Sequence, residues 1–260
     1  MNAILAAAYG LAAYVFFLAT LLYAVGFVGN VFVPKAIDTG PAAPLAEALL
    51  VNTLLLAIFA IQHSVMARPA FKRWWTRIVP KQIERSTYVL FASAALALLL
   101  WQWRPLPDLL WNVQDRFAVV ALQTVFWLGW GVLLVSTFLI NHFELFGLQQ
   151  VLSKRNAAAA QTFKTPGFYR LVRHPIYLGF LLAFWATPAM SVGHLLFAIA
   201  TTGYILIGIA LEERDLVAQF GDTYRRYREQ VGMLIPRAAP RLPQSRTPGH
   251  PRADERSPSP

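Results

Sequence analysis

Long apolar segments separated by short basic loops dominate this sequence. Segments of about the 20 residues that cross a bilayer recur along the first half of the chain, and two shorter ones follow. The segments lie at 4–29, 45–64, 87–103, 117–140, 176–190 and 194–211. A Thr187-Pro188 break separates the last two, which form a predicted hairpin. The sequence therefore predicts an all-α integral membrane protein of five to six transmembrane helices that includes a C-terminal helical hairpin.

Composition supports a membrane protein, because 57% of the residues are hydrophobic and only 14% are charged. The chain has no cysteine, which excludes disulfides, thiolate zinc sites and a cysteine nucleophile. The net charge of +10 would suit nucleic-acid binding. However, the basic residues flank the apolar segments, so we interpret the charge as membrane topology and expect no nucleic-acid partner.

The basic residues also predict an orientation. Loops 65–86 and 141–175 hold six and five of the 23 Lys and Arg residues, and the segment after 211 holds nine. The other loops hold Lys35, Arg104 and Arg116. By the positive-inside rule the basic side is cytoplasmic, and both termini lie there.

Two regions follow from this layout. Residues 1–236 form a predicted transmembrane domain, and residues 237–260 form a Pro- and Arg-rich tail that is predicted to be disordered and cytoplasmic. Before the tail, charged residues alternate with Tyr224 and Tyr227, which is typical of a helix on the membrane surface.

Polar residues gather where the predicted helices end on the basic side. The groups are Gln62-His63-Ser64, Glu84-Arg85-Ser86-Thr87-Tyr88, Asn141-His142-Phe143-Glu144, Arg173-His174-Pro175 and Glu212-Glu213. The alternation of the helices places all five groups at one depth, just below the interface. Charged groups at that depth are costly unless they are paired or hold a ligand. The pattern therefore predicts a site for a charged small molecule.

Each residue also has an ordinary structural explanation. Arg173 taken alone is more often an interfacial anchor, and His63 and His142 taken alone are more often interhelical hydrogen bonders. Glu212 and Glu213 can pair with surface arginines. The histidines lack a metal-binding spacing, so no metal is expected. These explanations leave the tight clustering at one depth unexplained.

A C-terminal pattern comprises Tyr169, Arg173-His174-Pro175, Tyr177, Gly179, Glu212-Glu213, Phe220-Gly221, Tyr224, Tyr227 and Pro236. This pattern resembles the isoprenylcysteine carboxyl methyltransferase superfamily of membrane enzymes. The rest of the chain resembles the bacterial methanethiol S-methyltransferases, and NnrU-like membrane proteins share part of the pattern. The stretches that carry this second resemblance are 28–38, 62–69, 84–88, 101–105 and 141–147.

The resemblance implies a reaction in which S-adenosylmethionine methylates methanethiol to dimethyl sulfide, at the cytoplasmic side of the bacterial inner membrane. It implies a small thiol and the lipid bilayer as partners, and a cytoplasmic cofactor region at about 164–236. Carried over onto the matching motif, the cofactor-binding residues are Tyr169, Arg173, His174, Pro175, Tyr177, Leu178, Gly179, Glu212, Glu213, Tyr224 and Tyr227.

Roles follow from the chemistry of that donor. Arg173 and His174 are expected to hold its carboxylate through charge-assisted bonds, and Glu212 or Glu213 its ammonium or ribose hydroxyls. Tyr169 and Tyr177 are expected to face the adenine or the sulfonium, and Gly179 to allow close backbone approach.

A base is expected to help ionise the thiol. His142 is the first candidate, and the further candidates are His63, Glu144 and Tyr88. Alternatively, a dry cationic pocket favours the thiolate without any base.

Three other functions stay open at this point. One is methylation of another thiol or of a prenylcysteine-type carboxylate. Another is an NADPH-dependent reductase of the sterol type, whose C-terminal region is similar. The last is a non-catalytic membrane protein, either a transporter or an NnrU-like factor.

Overall fold

A computed structural model of the chain describes residues 2–152 and 163–237. Helices dominate it. They are α1 (Ala3–Gly29), α2 (Leu45–Ala67), α3 (Pro69–Trp75), α4 (Glu84–Gln102), α5 (Arg116–Leu139), α6 (His142–Leu145), α7 (Leu148–Leu152), α8 (Pro175–Trp185), α9 (Val192–Phe220) and α10 (Asp222–Gln230). The remaining regular secondary structure of the described residues consists of two short strands and two 3-10 turns. The strands are β1 (Leu109–Asn112) and β2 (Ala189–Ser191), and the turns are Lys81–Ile83 and Gly167–Arg170.

Five of these helices, α1, α2, α4, α5 and α9, are long and apolar enough to cross a membrane, and α8 is a shorter apolar helix. The predicted all-α multi-pass fold with a C-terminal hairpin is therefore confirmed. The surface helix predicted around Tyr224 and Tyr227 is α10. The predicted tail, apart from Arg237, lies outside the described residues.

The two arms of the hairpin differ in length from the sequence expectation. Helix α8 has only 11 residues and ends before Pro188, since a residue preceding proline is disfavoured in a helix. Helix α9 has 29 residues and continues well past 211. Glu212 and Glu213, which the sequence places at the end of this helix, instead lie on its body. The reason is that charged residues with long side chains propagate a helix readily, and no glycine follows them until Gly221, which has a φ of 56°.

Three loops meet at the end of the bundle opposite the basic loops. Strand β1, in the α4–α5 loop, pairs antiparallel with β2, in the α8–α9 connection. The Ser191 hydroxyl donates a hydrogen bond to Asp38 in the α1–α2 loop, and the Trp103 indole donates one to the Ile37 carbonyl at 3.1 Å. These contacts place the three loops together at one end of the bundle, as the predicted alternation of the spans requires.

The apolar core lies between α1, α4, α5, α8 and α9. Its large members are Phe27, Trp103, Phe126, Trp130, Phe184 and Phe197. Their rings meet mostly edge to face, the arrangement that aromatic quadrupoles favour.

Two glycines let α5 and α8 touch along their backbones. A Cβ on Gly129 would lie 2.7 Å from both the Ala183 amide nitrogen and the Gly179 carbonyl oxygen. One on Gly179 would lie 2.6 Å from the Gly129 carbonyl oxygen. Small residues at such crossings are a common way for membrane helices to associate. The contact fixes α8, and with it the Arg173-His174 pair that precedes the helix.

We expect Gly129→Ala to destabilise the protein by about 1–3 kcal/mol, because the added methyl group would overpack the crossing. A Cβ added to Gly131 on the same helix would meet no atom within 4 Å, so Gly131→Ala is the matched control. Thermal unfolding of the purified variants in detergent measures the difference. Equal unfolding temperatures for the two variants would show that the crossing is not tight.

Candidate active site at the start of α8

The backbone places Arg173 and His174 through a short parallel contact with the C-terminal strap, residues 231–233. Val172 pairs with Gly232. The Arg173 amide donates to the Gly232 carbonyl at 2.8 Å, and the His174 amide donates to the Met233 carbonyl at 3.2 Å. Pro175 then starts α8, at a position where no backbone N–H is needed. The strap and the proline together set the direction of both side chains.

Arg173 and Glu213 form a buried ion pair. The Arg173 Nε donates to Glu213 Oε1 at 2.7 Å, and the two residues are only 9% and 7% exposed. The Arg173 Nη1 also donates to the backbone carbonyls of Arg228, at 3.0 Å, and Val231, at 2.5 Å. Burial of charges is tolerated when pairing and hydrogen bonds are this complete. The pair therefore ties α8, α9, α10 and the strap together.

Two further cationic or imidazole groups complete the surroundings of Glu213. His174 Nε2 lies 3.1 Å from Glu213 Oε1, and Arg228 Nε lies 3.2 Å from Oε2. The sequence prediction that Arg173, His174 and Glu213 converge agrees with this geometry. Because the same groups hold the fold together, their predicted contact with a donor stays a prediction.

Glu212 points to a different side of α9 from its neighbour. Its side chain is 45% exposed, and Oε2 lies 3.8 Å from His174 Nδ1. The Tyr177 hydroxyl lies beside the Glu212 carboxylate. Burial, together with this carboxylate, raises the pKa of Tyr169. We call Tyr169, His174, Tyr177 and Glu212 the acidic aromatic face.

Tyr224 and Tyr227 attach α10 to the turn before α8. The Tyr227 hydroxyl donates to the Tyr169 carbonyl at 2.5 Å, and Tyr224 is only 2% exposed. Phe163 lies edge to face against both rings. Burial raises the pKa of Tyr224 and raises that of Tyr227 to about 12. In this structure both tyrosines pack behind the acidic aromatic face and attach α10 to it.

The remaining α8 residues of the predicted set lie along that helix. Pro175 is buried, Leu178 is half-buried, and the space beside Gly179 is occupied by α5. Their predicted roles in cofactor binding stay predictions.

A second polar cluster lies between α2, α4 and α9. The Tyr88 hydroxyl is 3.0 Å from His63 Nε2 and 3.2 Å from Nδ1. The Ser64 hydroxyl donates to that of Tyr204 at 3.3 Å, and the Tyr204 ring meets the His63 ring edge to face. Two of the predicted bases, His63 and Tyr88, therefore contact each other, and Tyr204 joins them.

The face of α9 connects this cluster to the acidic aromatic face. Tyr204, Gly208 and Glu212 follow one another at intervals of four residues, which places them on one side of the helix. The Tyr177 hydroxyl lies 4.0 Å from where a Gly208 Cβ would stand, and it is within electrostatic range of Tyr88 and Tyr204. Tyr204 and Gly208 are absent from the predicted site residues, although their spacing from Glu212 is a readable signal.

His142 lies in a different group, against α1 and the end of α5. The Tyr14 hydroxyl is 2.9 Å from Nε2, and the Thr137 hydroxyl is 2.8 Å from Nδ1. The ring also stacks on Phe138, and burial lowers the pKa of His142. Both ring nitrogens are thus hydrogen-bonded within the protein.

Glu144 belongs to the same group as His142. Its carboxylate accepts a hydrogen bond from the Asn141 side chain at 2.9 Å. Of the five polar groups expected to converge, the structure joins those of His63, Tyr88, His174 and Glu212. The His142 side chain has other contacts, although Arg85 and Ser86 donate hydrogen bonds to the carbonyls of Leu145 and Gly147 just after it.

Two clefts lie on either side of Arg228. An apolar groove of about 430 Å³ is lined by Leu206, Ile209, Ala210, Glu213, Arg214, Val217, Arg228 and Met233. A basic cleft of about 350 Å³ is lined by Arg173, Arg225, Arg228, Glu229 and Arg237. Within residues 2–152 and 163–237, no group of three or more His, Cys, Asp or Glu side chains is placed to hold a metal ion.

Known proteins resemble the chain over most of its length. A protein from Bradyrhizobium diazoefficiens named methanethiol S-methyltransferase 1 is 60% identical over 230 residues, which cover 88% of this chain and 81% of that protein. The chain belongs to the methanethiol S-methyltransferase family. The resemblance noted in the sequence is therefore confirmed.

Other members of this family are similarly close. The methanethiol S-methyltransferase of Mycobacterium tuberculosis is 58% identical, over 88% of this chain and 94% of that protein. Methanethiol S-methyltransferase 2 of Bradyrhizobium diazoefficiens is 55% identical, over 88% of this chain and 89% of that protein. A family model described as a protein of unknown function, DUF1295, matches residues 46–231. No solved structure matches the chain significantly.

We expect Arg173→Met to destabilise the protein by about 3–5 kcal/mol, because it leaves the buried Glu213 without its closest partner. A second variant, Arg173→Met with Glu213→Met, should recover part of this loss, since it removes both members of the pair. Arg226, an exposed arginine on α10, provides the control Arg226→Met. Thermal unfolding and trypsin cleavage after Arg228 and Arg237, which flank the strap, are the measurements. A single variant as stable as the control would show that the pair does not hold the strap.

Proposed function

We propose that this protein transfers a methyl group from S-adenosylmethionine to methanethiol and releases dimethyl sulfide and S-adenosylhomocysteine. The observation that carries the proposal is the continuity of the acidic aromatic face with the His63–Tyr88 cluster along one side of α9. The names of the relatives support the acceptor, and the chemistry of the face supports the donor.

The residues of the acidic aromatic face suit a sulfonium donor. The half-exposed Glu212 carboxylate supplies a counter-charge, and the rings of Tyr169 and Tyr177 supply faces that attract cations. The Arg173 Nη2 forms no hydrogen bond within the described ranges, so this nitrogen is free to bind the donor carboxylate. When bound, S-adenosylmethionine supplies an electrophilic methyl group to the site.

The His63–Tyr88 cluster suits a small thiol. An alkyl thiol resembles cysteine, whose pKa is about 8.5, and so it is mostly protonated at neutral pH. A base within hydrogen-bond reach raises the thiolate fraction. We place His63 in this role, because it contacts Tyr88 and packs against Tyr204, which lies on the same side of α9 as Glu212. His142 has both nitrogens bonded elsewhere and would have to break a bond to act.

In this proposal, the chain's own residues hold two reactants on neighbouring stretches of one helix face. Gly208 separates them, and its lack of a side chain leaves room beside the Tyr177 hydroxyl. The thiol proton moves to His63 while the acidic aromatic face fixes the donor. Correct placement of two reactants alone removes much of the entropic barrier to their reaction.

We place the reaction at the cytoplasmic side of the bacterial inner membrane, with both termini on that side. The support is the excess of basic residues in the loops at the same end of the bundle as the site. The neutral, apolar thiol can enter from the bilayer, and the neutral product can leave by the same path.

We expect purified protein to form dimethyl sulfide from methanethiol and S-adenosylmethionine, as measured by headspace gas chromatography.

Gly208→Leu should abolish product, because the added side chain would displace the Tyr177 hydroxyl. Gly203 on the same helix has no atom near its Cβ position, so Gly203→Leu should keep activity. Product from a prenylcysteine or a larger thiol alone would assign a different acceptor. Oxidation of NADPH without methyl transfer would favour the reductase alternative.

We expect His63→Ala to lower kcat at neutral pH by on the order of 100-fold, with donor affinity retained. The loss should shrink at high pH, where the thiol ionises without help. His142→Ala should keep kcat within a few-fold and lower the unfolding temperature, since it removes two buried hydrogen bonds. The pH–rate profiles of both variants measure this. A pH-dependent loss in His142→Ala, and none in His63→Ala, would transfer the base to His142.

A further inference from the structure

The apolar groove and the basic cleft adjoin each other, because Arg228 lines both. The groove has an apolar majority and also holds Glu213 and Arg214, and the cleft is lined by four arginines and one glutamate. An occupant that fills both must have an anionic head and an apolar body.

The groove runs along α9 at membrane depth. From Leu206 to Val217 the helix rises about 16 Å, and Leu206 is 44% exposed on this surface. The groove belongs to a helix that is long and apolar enough to cross the bilayer. The apolar part of its lining, Leu206, Ile209 and Ala210, suits an acyl chain.

The charges lie at the end of the groove nearest α10. Arg214 forms no hydrogen bond or ion pair within residues 2–152 and 163–237. Arg225 pairs with the exposed Asp222 at 2.7 Å, and Arg228 pairs with Glu213. Of these three arginines, only Arg228 pairs with a buried carboxylate. The cluster therefore keeps an excess of positive charge, which would repel a sulfonium and attract an anion.

We propose that the joined clefts bind an anionic phospholipid, with the phosphate among Arg214, Arg225 and Arg228 and one acyl chain along Leu206, Ile209 and Ala210. Basic pockets at the ends of transmembrane helices bind anionic headgroups, and an acyl chain adds apolar contact that a free anion lacks. The groove lies along the Glu213 side of α9, whereas the acidic aromatic face lies on the Glu212 side, and Arg173 lines the basic cleft as well as serving the proposed donor site. Lipid binding can be tested without the donor or the thiol.

Lipid exchange tests the proposal on the full-length protein in detergent without any donor or thiol. The probe is a fluorescent phosphatidylglycerol, and the comparisons are the matching phosphatidylcholine and sodium phosphate. The test variant is Arg214→Gln with Arg225→Gln. The control is Arg73→Gln with Arg77→Gln, which removes two exposed charges from the same side of the bundle. Ala210→Trp fills the groove without changing any charge.

Phosphatidylglycerol should bind more tightly than phosphatidylcholine, and the test variant should lose about fivefold in affinity per arginine removed. The control should keep the affinity of the unmodified protein, and Ala210→Trp should weaken binding. Equal losses of affinity in the test and control variants would show that the lipid is attracted to the basic surface in general, which would overturn the proposal. Equal binding of both lipids, or full competition by sodium phosphate, would also overturn the proposal. Size-exclusion profiles that match the unmodified protein show that each variant is folded.

Discussion

Arg173 and Glu213 share a short hydrogen-bonded ion pair inside a largely apolar helical bundle. Burial of two such charges costs several kcal/mol per ion unless the geometry and the remaining hydrogen bonds are good. Here the guanidinium also binds two carbonyls, and the carboxylate also meets His174 and Arg228. The start of α8, the body of α9 and the stretch formed by α10 and the strap therefore have to meet at one point. The rest of the candidate site is built around that point.

The two glutamates of α9 have separate surroundings because neighbouring helical residues point about 100° apart. Glu213 is a member of the buried pair, and the charge of Arg173 balances its own. Glu212 faces Tyr177 and keeps a partly exposed carboxylate. One dipeptide thus supplies both a structural anchor and a partly exposed carboxylate, which we propose as the counter-charge. The close crossing of α5 and α8 at Gly129 and Gly179 holds Arg173, the partner of Glu213, in place.

Much of the architecture could be predicted from the sequence. Segment lengths and basic loops are sufficient to predict the spans, their order and the hairpin, because all three features depend on position along the chain. The meeting of Arg173, His174 and Glu213 follows from the same alternation. The direction in which a side chain points around its helix is harder to predict. For that reason the sequence did not separate His142 from His63, or Glu212 from Glu213, and it did not reveal Tyr204. The pairing of β1 with β2 was also missed, since such short strands carry little pattern.

The role of Glu212 as a counter-charge can be measured by calorimetry. The protein should bind S-adenosylmethionine more tightly than S-adenosylhomocysteine, which lacks the sulfonium charge. Glu212→Gln should remove most of that preference while leaving affinity for S-adenosylhomocysteine nearly unchanged, and Glu144→Gln should change neither. An unchanged preference in Glu212→Gln would contradict the assignment of the acidic aromatic face as the donor site.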